Sequence, residues 1–203
     1  MGVKKIFKIH YIIFFFVLFL SKAVAEPTFV RDKAIDAFGA YFGLTFNNDG
    51  TKMYTIHSNG TNDGVAEYIL TSAYDISTAT FSTSKVTHRG GGNGHHVPTQ
   101  VVFNNDGTKM FIANHAGVMT IDYWSLSTAF DVSTATFDDE YDISGQEIRA
   151  NSVAFNNDGT RMFVAGVGNE SQHRIHEYSL DTAFDLSSGV THLNTEDLSS
   201  SHS

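Results

Sequence analysis

The 203-residue sequence has no cysteine and only two prolines. Without cysteine the chain cannot form disulfide bonds, so a secreted form would depend on its packed core for stability. The cysteine-linked lipid anchor of bacterial lipoproteins is excluded for the same reason. The longest apolar run, Tyr11–Leu20, has ten residues, which is well short of the roughly 20 that a bilayer-spanning helix requires.

The residues around this apolar run are typical of a secretory signal peptide. Lys4, Lys5 and Lys8 precede it, and Ala23-Val24-Ala25 follows it. A basic start, a short apolar run and a small-x-small site are the features that signal peptidase substrates share. We therefore expect residues 1–25 to be removed, the mature chain to begin at Glu26, and the protein to be secreted or periplasmic with no stable membrane insertion.

The mature chain is strongly acidic. Removal of residues 1–25 takes four lysines and leaves nine basic and 22 acidic residues, a net charge of −13. This charge argues against binding to nucleic acid or to an anionic membrane surface. Solubility is the favoured explanation of the acidity, and cation binding is the alternative.

An eight-residue motif, Phe-Asn-Asn-Asp-Gly-Thr-(Lys/Arg)-Met, occurs three times in the chain, at Phe46–Met53, Phe103–Met110 and Phe155–Met162. A second block follows each copy: Tyr68–Ser77, Trp124–Ser133 and Tyr178–Ser187 share the pattern Ser/Thr-Ala-aromatic-Asp near their ends. Self-similarity at a period of about 50 residues predicts a repeat architecture.

Each repeat divides into four short segments with strand character. In the second copy they are rich in Val, Ile, Phe, Tyr and Thr and run over 100–103, 109–113, 118–126 and 136–143. The Asn-Asp-Gly sequence between the first two predicts a tight hairpin, because glycine accepts a positive φ. No helical period is sustained beyond the N-terminus. Four antiparallel strands per repeat predict an all-β fold built from β-propeller blades.

The repeats resemble those of a known superfamily. Phe-x-x-Asp-Gly-Thr-Lys followed by an aromatic strand looks like the blades of the YVTN and lactonase-like, WD40-like β-propellers, and Met110–Asn114 is similar to the strand that names the YVTN repeat. The resemblance covers roughly residues 28–198. It implies a propeller fold and leaves the function open, since propellers include lactonases, dehydrogenases, lectins and scaffolds.

Three blades are fewer than a closed propeller contains. We expect the blades at 37–88, 97–144 and 150–198, with 28–36 as an extra outer strand. Propellers typically have four to eight blades, so the prediction is an open or partial propeller. The chain is then either a fragment of a longer propeller or one half of a homodimer that closes a six-bladed ring, with 28–36 of each protomer completing the weak third blade of the other.

One face of the predicted disc varies between repeats. The Asn-Asp-Gly hairpins and the Ala-aromatic-Asp segments lie on one face and are nearly identical, whereas the loops on the opposite face differ in length and composition. Function in repeat folds usually resides in such variable loops. The candidate binding residues in or beside these loops are His57, Arg89, His95, His96, His115, Arg149 and His173.

The pattern of these residues does not favour a metal site. His95 and His96 are adjacent, so their side chains diverge on an extended backbone, and no Asp, Glu or His set has a recognised ligand spacing. The Asp-Gly turns have too few oxygen ligands for a calcium loop, so Asp106 and the repeated Asp75, Asp131 and Asp185 are expected to hydrogen-bond within their own turns. The glycine-rich run 89–94 lacks the features of a phosphate loop. No metal or cofactor is predicted.

The sequence contains no nucleophile elbow, zinc-protease helix or catalytic-triad spacing, and we therefore assign no catalytic residue from it. The favoured hypothesis is a secreted binding or scaffold module that presents its variable loops to a protein, peptide or glycan. The alternative is a fragment of a secreted lactonase-like hydrolase.

Overall fold

The computed structural model describes residues 29–30, 32–35, 40–58, 62–87, 97–115, 119–146, 149–167, 173–187 and 189–198. The chain divides into two units, 1–31 and 32–203, and all that follows concerns the second. The expected signal peptide, as well as Arg89, His95 and His96, lies outside the described residues, so those expectations remain predictions.

The described residues form three four-stranded antiparallel sheets, in each of which the spatial order of the strands equals their order in the chain. The first sheet contains β1 (Ala40–Phe46), β2 (Lys52–Ser58), β3 (Gly64–Leu70) and β4 (Ala79–Val86). The second contains β5 (Pro98–Phe103), β6 (Lys109–Asn114), β7 (Thr120–Leu126) and β8 (Ala135–Asp142). The third contains β9 (Ala150–Phe155), β10 (Arg161–Val167), β11 (His173–Leu180) and β12 (Val190–Asp197). The predicted all-β fold of three four-stranded repeats is confirmed.

Two further features of the described residues bear on the sequence analysis. The described residues include no α-helix, and none of their helical segments is long and apolar enough to cross a membrane. The three sheets do not close into a ring, which agrees with the open propeller that the blade number predicted.

The outer strand of the third sheet corrects the expectation of a weak last strand. β12 pairs with β11 from Leu180↔Val190 to Arg174↔Asp197, although the aromatic residue of the other copies is missing there. Backbone hydrogen bonds hold a strand in a sheet whether or not that aromatic side chain is present. In the expected extra strand 28–36, the described residues 29–30 and 32–35 are not in a strand, and Ile35 packs against the core of the first sheet.

The three Asn-Asp-Gly hairpins form as predicted. Gly50, Gly107 and Gly159 have φ values of +71°, +73° and +71°. In the second turn the Asp106 carboxylate accepts hydrogen bonds from the backbone N–H of Thr108 at 2.9 Å and from its hydroxyl at 2.5 Å. These bonds lower the pKa of the Asp106 carboxyl.

The second repeated block folds onto the hairpin. Asp75, Asp131 and Asp185 each accept a bond from the backbone N–H two residues later, as expected. In the first two copies this bond caps a single 3₁₀ turn, Ile76–Thr78 and Val132–Thr134. The aromatic residue before each aspartate has a positive φ, which is 58° for Tyr74, 59° for Phe130 and 54° for Phe184.

The apolar core lies mainly between neighbouring sheets. Tyr54, Ile56 and Val65 of the first sheet form one buried cluster with Val101, Met110, Ile112, Trp124 and other residues of the second. A matching cluster joins the second and third sheets. Trp124 and Tyr178 belong to these two clusters, and their counterpart Tyr68 belongs to a third buried cluster on the first sheet. All three side chains pack in the core rather than form an exposed stacking platform.

The phenylalanine that precedes each hairpin packs against the core and is partly buried. Phe103 packs against Tyr54 and Phe130, with ring centroids 4.6 and 5.5 Å apart. Phe46, Phe103 and Phe155 nevertheless remain partly exposed. Each lies at the end of its sheet, next to an exposed turn, and packs against the core from there.

Candidate functional site

The first strands of neighbouring sheets adjoin. An ideal Cβ on Gly43 in β1 would lie 2.7 Å from the carbonyl oxygen of Thr99 in β5. Val153 of β9 donates its backbone N–H to the Gln100 side chain of β5 at 2.9 Å. We call the end of the sheets that carries the turns 47–51, 104–108 and 156–160 the hairpin face, and the opposite end the loop face.

The four candidate binding residues that the structure describes lie at the loop face, on three different sheets. His115 directly follows β6 and is half-buried, Arg149 precedes β9 and is exposed, and His173 begins β11 and is exposed. His57 differs from the other three, because it lies inside β2 and is 2% exposed. The side chain is enclosed because β2 continues past it to Ser58.

His57 is one member of a buried polar group at the loop-face end of the first sheet. Thr55 and Asp63 are buried with it. Burial lowers the pKa of His57, and the negative charge of Asp63 partly opposes this shift. The imidazole is therefore neutral at neutral pH, which is the form that can accept a proton.

The second sheet carries a different polar group at the corresponding place. Asn114 donates its side-chain amide to the Thr120 hydroxyl at 3.2 Å, and Thr120 donates to the Asp122 carboxylate at 2.9 Å. None of the three residues is more than 1% exposed. The result is a buried carboxylate that a fixed hydrogen-bond chain orients.

In the third sheet a histidine, His176, occupies the position of Asp122, and His192 of the outer strand occupies the position of Phe137. His176 is 1% exposed, and its Nδ1 lies 2.9 Å from the Thr195 hydroxyl. The Nε2 atom of His192 lies 3.0 Å from the same hydroxyl. Because a hydroxyl donates only one proton, Thr195 can donate to one imidazole and accept from the other.

These polar groups differ between the three repeats, whereas the Asn-Asp-Gly turns do not. Ala66, Asp122 and His176 pair with Thr55, Ile112 and Val164 and so occupy one repeat position. Burying a polar side chain costs free energy unless it is hydrogen-bonded, so packing alone does not account for an aspartate and a histidine there. Asp122 and His176 are not among the residues predicted from the sequence, although an alignment of the three copies shows the change from alanine to ionisable residues.

The hairpin face contains a pocket of about 300 Å³ between the three turns. The aromatic residues Phe46, Phe103 and Phe155 form part of its wall. Two amide donors at its rim join neighbouring sheets, since Asn48 donates to the Asn105 carbonyl at 2.7 Å and Asn105 donates to the Asn157 carbonyl at 2.6 Å. Because these amides join the sheets, we favour the loop face as the functional site.

Among the residues that the structure describes, no group of three or more His, Cys, Asp or Glu side chains is arranged to hold a metal ion. The carboxylate and imidazole groups of the loop face are instead distributed over three sheets. Their chemical capacity is that of hydrogen bonding and proton transfer to a polar ligand.

Comparisons with known proteins were made at the levels of sequence and structure. No family model matches the chain, and no curated protein matches it. Among solved structures, the periplasmic gluconolactonase PpgL of Pseudomonas aeruginosa is 15% identical, covers 76% of this chain and 39% of its own, and has a TM-score of 0.56. A protein provisionally assigned as a 6-phosphogluconolactonase from Bacteroides uniformis is 10% identical, with coverages of 77% and 40% and a TM-score of 0.53.

A second protein with the same provisional assignment, from Bacteroides fragilis, is 13% identical, with coverages of 77% and 39% and a TM-score of 0.52. The chain thus spans about two-fifths of the length of these structures. At such identities the likeness concerns the fold alone. The three sheets of this chain have the fold of blades of a lactonase-like β-propeller.

Proposed function

We propose that this chain is part of a secreted or periplasmic lactonase-like propeller whose loop face receives a sugar lactone. The observation that carries the proposal is the set of buried ionisable side chains at that face, which includes Asp122 and His57. The structural likeness to a gluconolactonase supports the substrate class. The predicted signal peptide and the periplasmic origin of that neighbour support the location.

The chemistry of lactone hydrolysis suits these groups. Water adds to the ester carbonyl, the ring C–O bond breaks, and the product is a hydroxy acid that releases a proton at neutral pH. A carboxylate or a neutral imidazole can accept a proton from the attacking water. Asp122, held by Thr120, and His57, whose pKa burial lowers, are the side chains we assign to this role or to orienting the substrate hydroxyls.

A non-catalytic binding module is the second candidate. Arg149 and His173 are exposed at the loop-face ends of β9 and β11. Exposed cationic and imidazole groups beside variable loops suit recognition of a protein, a peptide or a glycan without any reaction. This function shares the loop face with the first and differs in leaving its ligand unchanged.

Proton release from gluconolactone by the mature chain, residues 26–203, tests the proposal in a pH-stat after subtraction of spontaneous hydrolysis. We expect hydrolysis above background and at least a tenfold loss in Asp122→Asn. Asp138→Asn, an exposed carboxylate on the outer strand β8, is the matched control and should retain the activity. Far-UV circular dichroism and urea unfolding show whether each variant is folded.

Calorimetric titration of the same protein with gluconate separates the two candidates. Binding without hydrolysis, weakened by Asp122→Asn, would support the binding module. Absence of both hydrolysis and binding would refute a lactone or sugar-acid ligand.

A further inference from the structure

Where two sheets are neighbours, each covers one face of the other. The first and third sheets each have one face that has no neighbouring sheet among the three. We call the side of a sheet that meets the following sheet its leading face, and the side that meets the preceding sheet its trailing face. The leading faces carry Tyr54, Ile56 and Val65, then Phe111, Ala113 and Ile121, then Phe163, Ala165 and Ile175. The trailing faces carry a residue of the first strand, a methionine, an aromatic residue and a leucine, namely Leu44, Met53, Tyr68 and Leu70 in the first sheet.

The exposed fractions of side chains at equivalent repeat positions show which two faces are open. Val65 and Ile121 are 0% exposed on the leading faces of the first two sheets, whereas Ile175 at the same repeat position of the third is 36% exposed. On the trailing faces, Val101 and Val153 are 0% and 1% exposed, whereas Leu44 of the first sheet is 55% exposed. The third sheet therefore has an open leading face, and the first sheet has a trailing face that is open along its inner strand.

The polar contacts between sheets follow a repeated pattern as well. Asn48 donates to the Asn105 carbonyl, and Asn105 donates to the Asn157 carbonyl. Lys52 donates its Nζ to the Phe130 carbonyl at 2.8 Å, and Lys109 donates to the Phe184 carbonyl at 2.9 Å. Each sheet thus contributes an amide and a cation to carbonyl groups of the sheet that follows it.

The donors and the acceptors for the same pair of contacts are present on the third sheet and the first sheet, respectively. The third sheet carries the donors Asn157 and Arg161 at the positions of Asn105 and Lys109. The first sheet carries the carbonyl groups of Asn48, between β1 and β2, and of Tyr74, between β3 and β4, at the positions of Asn105 and Phe130. The Tyr74 hydroxyl donates to the Asn48 carbonyl at 3.1 Å, and that oxygen has a second lone pair for another donor.

We propose that two copies of this chain associate head to tail. In each copy the leading face of the third sheet packs on the trailing face of the first sheet of the other copy. Asn157 donates to the carbonyl of the partner's Asn48, and Arg161 donates to that of the partner's Tyr74. The two equivalent contacts close a ring of six sheets, a common propeller size. Each copy supplies three turns around the hairpin-face pocket, which one copy alone leaves incomplete.

The N-terminal segment fits this arrangement without exchange. Ile35 packs on the trailing-face cluster of the first sheet, and residues 33–35 lie beside Tyr68, Thr80 and Phe81, which belong to the outer strands β3 and β4. The inner strand β1, where Leu44 is exposed, is the part that the partner contacts. Because β12 already occupies the outer position of the third sheet, residues 28–36 need not complete the partner's blade.

Sedimentation or light scattering on residues 26–203 tests the proposal through a pair of complementary variants. The wild-type chain should have the mass of two copies. Ile175→Lys damages only the third sheet's face and Leu44→Lys only the first sheet's face, so each variant alone should be monomeric. An equimolar mixture should form dimers again, because the intact third sheet of Leu44→Lys can bind the intact first sheet of Ile175→Lys.

A matched control carries the same charge elsewhere. Ile69 is 46% exposed on the side of the first sheet that faces the second, so Ile69→Lys should remain dimeric. A monomeric wild-type chain, a dimer that Leu44→Lys leaves intact, or a series of larger assemblies would each overturn the six-sheet ring. Failure of the mixture to dimerise would overturn the head-to-tail contact even if both single variants were monomeric. None of these outcomes depends on the identity of the ligand.

Discussion

The ring of Phe130 covers Gly107 so closely that an ideal Cβ on that glycine would lie 2.3 Å from the ring. Phe130 also donates its backbone N–H to the Gly107 carbonyl at 2.9 Å. Tyr74 and Gly50, and Phe184 and Gly159, form the same pair in the other sheets. The glycine thus supplies both a left-handed turn and room for an aromatic ring, and this relationship links the two repeated blocks of the sequence.

Gly107→Ala should destabilise the protein by about 2–4 kcal/mol. A left-handed conformation costs a residue with a Cβ roughly 1–2 kcal/mol, and displacement of the Phe130 ring adds an overpacking cost of about 1–3 kcal/mol. Gly145→Ala is the control, because a Cβ there would meet nothing within 4 Å, and it should change the free energy of unfolding by less than about 0.5 kcal/mol. Urea unfolding of both variants measures the difference, and similar effects would contradict the role assigned to the ring.

A buried ion pair provides a comparison between two copies of the repeat. Glu67 lies 2.9 Å from the Lys52 Nζ and accepts the backbone N–H of Val132 from the second sheet at 3.0 Å. Its counterpart in the third sheet, Glu177, lies 3.3 Å from Arg161, and both of those side chains are more than one-third exposed. The difference follows from the stacking, since a following sheet covers Glu67 but not Glu177.

Glu67→Ala should therefore cost more stability than Glu177→Ala. We expect about 2–3 kcal/mol for Glu67, below the 3–5 kcal/mol of a fully buried pair because Lys52 is 25% exposed. For Glu177 we expect about 0–1 kcal/mol, as for surface ion pairs. Thermal or urea unfolding of the two variants measures the loss of stability. Equal losses would show that cover by a following sheet does not change the contribution of this ion pair.

Local chemistry made most of the fold predictable. The Asn-Asp-Gly turns and the aspartate-capped segments form from residues a few positions apart, and the strands follow from runs of Val, Ile, Phe and Tyr. The left-handed Phe130 was not predicted, because a bulky residue with positive φ is unfavourable in isolation. Its conformation depends on Gly107, on the Lys52 ammonium group and on the Tyr54 hydroxyl, which are brought to it only by folding.

The candidate site was less predictable than the fold. The loop face was anticipated from loop variation, and His115, Arg149 and His173 lie there. The burial of His57 could not be predicted from the sequence, because it depends on where β2 ends. Asp122 was overlooked because the repeats were compared for their shared residues, whereas this carboxylate stands where the first copy has Ala66.

Processing of the N-terminus is a prediction that the described residues do not test. We expect the exported protein to begin at Glu26, because Ala23-Val24-Ala25 follows a ten-residue apolar run. Intact-mass spectrometry of protein recovered from the periplasm or medium measures this directly. A mature species that retains Lys4 and Lys5 would contradict secretion through a cleaved signal peptide.

The buried imidazole of His57 should make the free energy of unfolding decrease as the pH falls below about 6.5. Burial lowers its pKa in the folded protein relative to the ordinary value near 6.5. The unfolded chain therefore binds a proton more readily in this range, so the stability present above pH 6.5 is lost as the pH falls towards the folded-state pKa. His57→Asn, which places there the residue found at position 114 of the second sheet, should reduce the loss. Urea midpoints at pH 7 and 5 for both proteins measure it. An equal pH dependence in wild type and variant would show that His57 does not titrate differently on folding.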